Sequence, residues 1–160
     1  MKIWVAGFGN EYREDDGAGV LLASRIYAFL AEDSSLEVSL CLEHQLLPEL
    51  AEELNVDLAI FCDADAILHE KGFFLREVFP NSRIEGFNMH SMGPEWLLDL
   101  AGKTVKAPCR SLLITVSGER FDFSAAPTPL CLERIQRAEV AFKEFWQVLK
   151  QGSFSSTPRL

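Results

Sequence analysis

Apolar runs of strand length recur along the whole chain, separated by segments with helical patterns. Two of the runs, residues 2–6 and 56–62, are nearly continuous in apolar character, and residues 110–116 predict the last strand. A strand that is buried on both faces of a parallel sheet has this composition. Residues 36–42 predict a further strand, and residues 72–78 predict a short strand at an edge of the sheet. The sequence therefore predicts about five strands.

Helical segments lie between the predicted strands. They are expected at residues 17–31, at 46–54 with a proline near the first turn, and from Glu95 to Ala101. Thr128 and Pro129 supply an N-cap and a first-turn proline for a last helix. Because strands and helices alternate from one end to the other, we predict a three-layer α/β/α sandwich with a mostly parallel, twisted sheet.

Length and composition indicate one globular domain. The chain has 160 residues, of which 48% are hydrophobic and 24% are charged. No repeat or linker divides it, so we expect a single domain over residues 1–150 and a loose polar tail over 151–160. We also expect a monomer.

The charge balance excludes some classes of partner. The formal net charge is -9, whereas nucleic acids and anionic membranes require a basic surface. No segment is long and apolar enough to span a bilayer, and we expect no signal peptide. Four cysteines without a Cys-x-x-Cys pair predict buried thiols in a reducing cytosol rather than disulfides or a zinc site.

The turn after the first strand begins like a nucleotide-binding loop. Gly7-Phe8-Gly9 opens it, but a dinucleotide motif would need its third glycine where Tyr12 stands. Four carboxylates in the same turn would repel a pyrophosphate, so we reject that function. They belong to Glu11, Glu14, Asp15 and Asp16. Asp15 or Asp16 is also well placed to be the N-cap of the following helix.

Three residues are candidates for a metal site. Asp16 follows the first strand, Asp63 ends the third, and His90 lies in a loop that also opens at the carboxyl edge. Because parallel strands bring their carboxyl ends to one edge, these side chains are expected to meet there. Two carboxylates and an imidazole suit zinc, manganese or nickel, and the sequence does not rank these metals.

Each candidate also has an ordinary structural interpretation. Asp16 can be a helix cap, Asp63 a carboxylate paired with a turn amide, and His90 a core histidine. We interpret His69 as a solvated loop residue. Glu43 and His44 follow the second strand at the same edge and could support the site.

No side chain stands out as a nucleophile. Ser91 adjoins His90, but neighbours in sequence rarely form a catalytic pair. The chain has no Gly-x-Ser-x-Gly elbow, and no cysteine lies in an obviously electropositive setting.

The motifs resemble those of the [NiFe]-hydrogenase maturation endopeptidases. Gly7-Phe8-Gly9-Asn10 with Asp15 to Val20 resembles the N-terminal signature of that family. Ile60 to Ala64 is similar to its strand-end aspartate motif, and His90 to Gly93 is similar to its histidine loop. Thr128-Pro129 before the last helix also fits, so the resemblance spans nearly the whole chain.

The resemblance implies a cytoplasmic peptidase with the same α/β sandwich. Such an enzyme removes the C-terminal extension of a hydrogenase large-subunit precursor after nickel has been inserted. It recognises the nickel that the substrate supplies, and zinc or manganese can occupy the isolated protein. By motif, the metal-binding and catalytic residues are Asp16, Asp63 and His90, with one carboxylate as a possible general base.

Two other functions fit the same residues. The site could recognise a metallated partner without cutting it, as a nickel-sensing binding module. It could also hold magnesium for a phosphohydrolase through Asp15, Asp16, Asp63 and Asp65, but His90 would then have no role.

Overall fold

The computed structural model of the protein describes residues 1–81, 93–105, 110–124 and 126–151. Five strands alternate with helices over these residues. The strands are β1 (Lys2–Phe8), β2 (Glu37–Glu43), β3 (Leu58–Asp65), β4 (Phe73–Val78) and β5 (Arg110–Ser117). The α-helices are α1 (Ala18–Ala31), α2 (Pro94–Thr104) and α3 (Pro129–Gln151), and two 3-10 helices span Glu14–Gly17 and Pro48–Leu54.

The strands form one sheet in the order β2-β1-β3-β5-β4. The pairs β1 with β2, β1 with β3 and β3 with β5 are parallel, and the edge strand β4 runs antiparallel to β5. The sheet is therefore mostly parallel, as predicted, and β4 lies at an edge. Because β1, β3 and β5 are neighbours, their carboxyl ends deliver three loops to the middle of one sheet edge.

Both faces of the sheet are covered, which confirms the α/β fold. On one face, α1 and α3 pack against Val5, Ile60 and Ile114. On the other, α2 and the second 3-10 helix pack against Trp4, Phe61 and Leu113. In the central parallel strands, alternate residues thus pack into the two cores, which explains why β1 and β3 are nearly continuous apolar runs.

The last helix forms as the sequence predicts. Thr128 Oγ1 accepts a hydrogen bond of 3.2 Å from the backbone N–H of Cys131, and Pro129 is the first helical residue. The buried stripe of α3 contains Ile135, Ala138 and Phe142, followed by Trp146 and Leu149. This stripe lies against α1 and the sheet, so the helical period in the sequence marks the face that is buried.

The helix expected over residues 46–54 is present as a 3-10 helix, Pro48–Leu54, because seven residues gain little from α-helical bonding and burial of Leu50, Ala51 and Leu54 fixes the segment. One local prediction was wrong. Neither Asp15 nor Asp16 caps α1, whose N-cap is Gly17 without a side-chain hydrogen bond. Both carboxylates bind other groups, described below. No helix within the described ranges is both long enough and apolar enough to cross a membrane.

Candidate metal-binding and catalytic site

The turn after β1 brings the start of α1 very close to the sheet. Gly9 has a φ of 130°, in a region that L side chains rarely adopt, and a Cβ there would collide with the backbone oxygen of Asp16. At Gly19 a Cβ would lie 2.6 Å from the backbone oxygen of Cys62 and 2.8 Å from the Cα of Asp63. The glycines therefore bring the acidic turn against the end of β3.

Asp16 is held at this edge by the turn itself. Its Oδ2 accepts a hydrogen bond of 3.0 Å from the backbone N–H of Asn10, and the side chain is half-buried. Among the described residues no group donates to the other carboxylate oxygen of Asp16. The bond from Asn10 fixes one carboxylate oxygen of Asp16 in position.

Asp63 lies near the end of β3, between β1 and β5, and is also half-buried. Burial raises the pKa of Asp63, and a hydrogen bond of 2.8 Å from the N–H of Ala64 opposes that effect. The negative charges of Asp16 and Asp65 also raise the pKa, which lies at about 6. The 3-10 helix that carries Asp16 packs against β3, so the charge of Asp16 acts on the carboxyl of Asp63.

Two adjacent carboxylates fit a divalent cation, because its charge would remove their mutual repulsion and their oxygens are suitable ligands. The third candidate, His90, lies outside the described residues. Within the part of the chain that the structure describes, no three His, Cys, Asp or Glu side chains are grouped to hold a metal ion. The structure thus brings together Asp16 and Asp63, and the role of His90 stays a prediction.

Asp15 has a different role from its neighbour. It is completely buried, and its carboxylate accepts hydrogen bonds from the backbone N–H groups of Glu119, Arg120 and Thr128 and from the hydroxyl of Thr128. Burial alone would raise the pKa of Asp15, but these hydrogen bonds outweigh it, so the pKa lies below its ordinary value. Asp15 ties the first turn to the start of α3.

This arrangement counts against the magnesium phosphohydrolase. The carboxylate of Asp15 is already occupied by backbone donors. Asp65 accepts from the N–H of Ile67 at 3.0 Å and contacts His69 Nε2 at 3.2 Å. Two of the four proposed magnesium ligands are therefore engaged in holding loops.

The interpretation of His69 as a solvated residue was wrong. Its ring contacts Asp65 Oδ2 and stacks on Phe74 with the ring centroids 5.5 Å apart, while its backbone N–H donates to Ser117 Oγ at 2.9 Å. The spacing of four residues between Asp65 and His69, directly after a strand, is the sequence signal that could have revealed the pair. The contact between Asp65 and His69 fixes the loop after β3 beside Asp63.

Glu14 is a second residue that sequence reasoning missed. It has a φ of 46° and is buried, and its backbone N–H donates to Ser124 O at 3.1 Å. Its Oε2 accepts no hydrogen bond from the described residues and lies 3.5 Å from Arg120 Nε. No sequence signal marks this residue, because its burial depends on the loop after β5.

The other residues considered in the sequence, Glu43, His44 and the cysteines, have fewer contacts with the candidate site. Gly9 donates its backbone N–H to the carbonyl of Glu43 at 3.1 Å, which joins the loops after β1 and β2, and His44 is exposed. A supporting role for their side chains stays a prediction. Of the cysteines in the described ranges, Cys62 and Cys131 are buried, and burial raises the pKa of both thiols, so neither is a ready nucleophile.

Neither a comparison with models of protein families nor one with curated proteins finds a match. A comparison with solved structures finds several. The hydrogenase maturating endopeptidase HybD from E. coli is 21% identical, with a TM-score of 0.63, over 96% of this chain and 94% of that one. The [NiFe] hydrogenase maturation protease HycI from Thermococcus kodakarensis KOD1 is 22% identical, with a TM-score of 0.64, over 91% and 92%.

A solution structure of an endopeptidase from Escherichia coli gives a similar result. It is 20% identical, with a TM-score of 0.64, and the match covers 96% of this chain and 94% of that one. At these identities the similarity establishes the fold, and it extends over nearly the full length of both chains. The α/β sandwich of this chain is the fold of the hydrogenase maturation endopeptidases.

Proposed function

We propose that the protein is an endopeptidase that removes the C-terminal extension of a [NiFe]-hydrogenase large-subunit precursor after nickel insertion. The observation that supports the proposal is the packing of the turn that carries Asp16 against the end of β3, which carries Asp63, at the carboxyl edge of this fold. The similar solved structures support the reaction type, since their names describe hydrogenase maturation proteases.

In the proposed mechanism the nickel belongs to the substrate. Asp16 and Asp63 would bind it through carboxylate oxygens, and His90 would bind it through an imidazole nitrogen. When bound, the metal anchors the substrate beside the scissile bond and polarises a carbonyl or a water. One of the two carboxylates would also serve as the general base that takes a proton from the attacking water.

Cleavage of a nickel-loaded precursor tests the proposal. Mass spectrometry would detect the released peptide and the shortened subunit. Asp16→Asn should abolish cleavage while preserving the fold, because the amide oxygen can still accept the hydrogen bond from Asn10. Glu32→Gln is the matched control, since Glu32 is an exposed carboxylate at the C-terminal end of α1, away from these loops.

The outcomes separate the candidate functions. Loss of cleavage in Asp16→Asn with normal cleavage by Glu32→Gln supports the peptidase. Normal processing by Asp16→Asn would overturn the assignment. If the wild-type protein binds the nickel-loaded precursor but never cleaves it, the nickel-sensing module replaces the peptidase.

A further inference from the structure

Four large apolar side chains are exposed on the loops beside the candidate site. The exposed fractions are 70% for Tyr12, 64% for Ile67, 71% for Leu68 and 87% for Phe123. These residues lie on the loops after β1, β3 and β5, the three adjacent strands at the middle of the sheet. Together they form what we call the edge surface. Single exposed apolar residues are common, but a group on neighbouring loops is typical of a binding surface.

The three loops form one connected platform. Gly118 donates its N–H to Asp65 O at 2.8 Å, which joins the loops after β3 and β5. Asp15 donates its N–H to Arg120 O at 3.0 Å, which joins the loops after β1 and β5. The edge surface is therefore continuous with the segments that carry Asp16 and Asp63.

The loop after β3 presents its apolar residues in a fixed conformation. The N–H of Ile67 donates to Asp65 Oδ1, and that of His69 donates to Ser117 Oγ. Gly72 closes the loop by donating to His69 O at 2.9 Å. With its polar groups bonded to neighbouring residues, the loop holds Ile67 and Leu68 out toward solvent.

Tyr12 and Phe123 are fixed in a similar way. The N–H of Tyr12 donates to Asn10 Oδ1 at 2.9 Å, and its carbonyl accepts from Ser124 N at the same distance. The guanidinium of Arg13 lies 5.8 Å from the centroid of the Phe123 ring. Rigid presentation lowers the entropic cost of binding, so these residues suit the centre of an interface.

Acidic residues dominate the border of the edge surface. Its two arginines are engaged: Arg13 with the Phe123 ring and Phe121 O, and Arg120 beside Glu14. Lysine is represented in these loops by Lys71. The exposed carboxylates on the same loops belong to Glu11, Glu70, Glu119 and Asp122, and the half-buried carboxylates of Asp16, Asp63 and Asp65 lie beside them. A complementary partner would have an apolar centre with lysines and arginines around it.

We propose that the edge surface binds the folded body of the hydrogenase large-subunit precursor, through an apolar face of the precursor bordered by basic residues. This inference rests on the proposed function and adds to it a second contact, separate from the metal and the cleaved peptide. It accounts for the exposure of four large apolar side chains beside a site that is itself polar.

Binding measurements test the edge surface. The reference is the Asp16→Asn protein, which keeps the fold and does not turn over the substrate. The double change Ile67→Ser and Leu68→Ser, or Phe123→Ser, is added to it, and the affinity for the precursor is measured by calorimetry. Each addition should weaken binding at least about tenfold. The matched control is Val148→Ser, because Val148 is 60% exposed on α3, away from these loops, and its change should leave affinity unaltered.

Activity and salt give independent readouts. In the otherwise wild-type protein, the edge-surface changes should lower kcat/KM through a higher KM. Binding by the reference protein should weaken as salt concentration rises, because the charged border is screened. Equal affinity of edge-surface and control variants would overturn the inference, as would a wild-type dimer that Leu68→Ser dissociates, since the surface would then bind a second copy.

The two proposals fail in different ways. If the wild-type protein does not cleave the precursor but binds it, and the edge-surface changes weaken that binding, then the peptidase proposal fails while the edge surface stands. If cleavage proceeds but the edge-surface changes leave KM and affinity unaltered, the edge surface fails while the peptidase stands.

Discussion

Asp15 Oδ1 accepts a hydrogen bond of 2.7 Å from the backbone N–H of Thr128, which lies 113 residues further along the chain. The bond ties the turn after β1 to the first turn of α3. The carboxylate of its neighbour Asp16 accepts a bond from within its own turn, from the N–H of Asn10. Adjacent carboxylates thus have different contacts: Asp15 joins loops that are far apart in the chain, and Asp16 is the candidate ligand at the sheet edge.

The first prediction compares the effects of Asp15 and Asp16 on the free energy of unfolding. Asp15→Asn places an amide NH2 against backbone donors that the carboxylate now satisfies, so we expect a loss of about 2 to 3 kcal/mol in the free energy of unfolding. Asp16→Asn should change it by less than about 1 kcal/mol, because one acceptor oxygen suffices there. Urea unfolding at pH 7 measures both. Equal losses would contradict the division of roles.

The second prediction concerns how the stabilisation by Asp15 depends on pH. The pKa of Asp15 in the folded protein lies below its ordinary value of 3.8, so the carboxylate contributes stability that is fully present above about pH 4 and is lost as the pH falls through the folded pKa. The stability gap between the wild-type protein and Asp15→Asn should therefore stay constant from pH 7 to 5 and shrink below about pH 4. Urea unfolding across this range measures the gap. A gap that widens on acidification would show that Asp15 is not the stabilising anion.

The third prediction concerns Asp63 in the metal-free protein. Burial raises the pKa of Asp63 to about 6, with the N–H of Ala64 opposing this effect and the charges of Asp16 and Asp65 adding to it. Ionisation of Asp63 therefore lowers the free energy of unfolding as the pH rises from about 4 to above 6. Asp63→Asn should match the wild-type protein near pH 4 and exceed it at pH 7.5 by on the order of 1 to 2 kcal/mol. Thermal unfolding at both pH values tests this. Asp122→Asn, at an exposed position, should show no such trend.

The fourth prediction concerns packing behind the site. In Gly19→Ala the new methyl group would meet backbone atoms of Phe8, Cys62 and Asp63 that have little room to move. We expect a loss of about 2 to 4 kcal/mol in stability, with reduced cleavage because the end of β3 is displaced. Gly102→Ala is the control, because nothing lies within 4 Å of its added Cβ in α2. That change should raise stability by about 0.5 to 1 kcal/mol in the same thermal unfolding experiment. Similar losses in both variants would contradict the close approach of α1 to the sheet.

Much of the fold could be predicted because its signals are local. The apolar runs of β1 and β3 show that both faces of these strands are buried, and Thr128-Pro129 marks the start of α3. The meeting of Asp16 and Asp63 was predictable for a related reason. Parallel strands bring their carboxyl ends to one edge, so position along the chain implies proximity in space.

The wrong predictions concern side chains whose hydrogen-bond partners are set by tertiary contacts. The pattern around Asp15 and Asp16 fits a helix cap. Instead, Asp15 accepts from the N–H of Thr128 and Asp16 accepts from the N–H of Asn10. His69 reads as a loop residue in a polar segment, but the edge strand β4 brings Phe74 beneath its ring. Such choices depend on which distant groups arrive nearby, and no local pattern records that.

The sequence by itself determined the layered α/β architecture and the carboxylates that line one sheet edge. Periodicity and chain order are enough for both, because each depends on short-range spacing and on the common direction of parallel strands. Only the tertiary structure decided that Asp15 is a buried anchor, that Asp65 and His69 hold a loop, and that Tyr12, Ile67, Leu68 and Phe123 face solvent together. These outcomes rest on contacts between loops that are far apart in the chain, and the free energy of such contacts is set by burial and hydrogen-bond geometry in the folded protein.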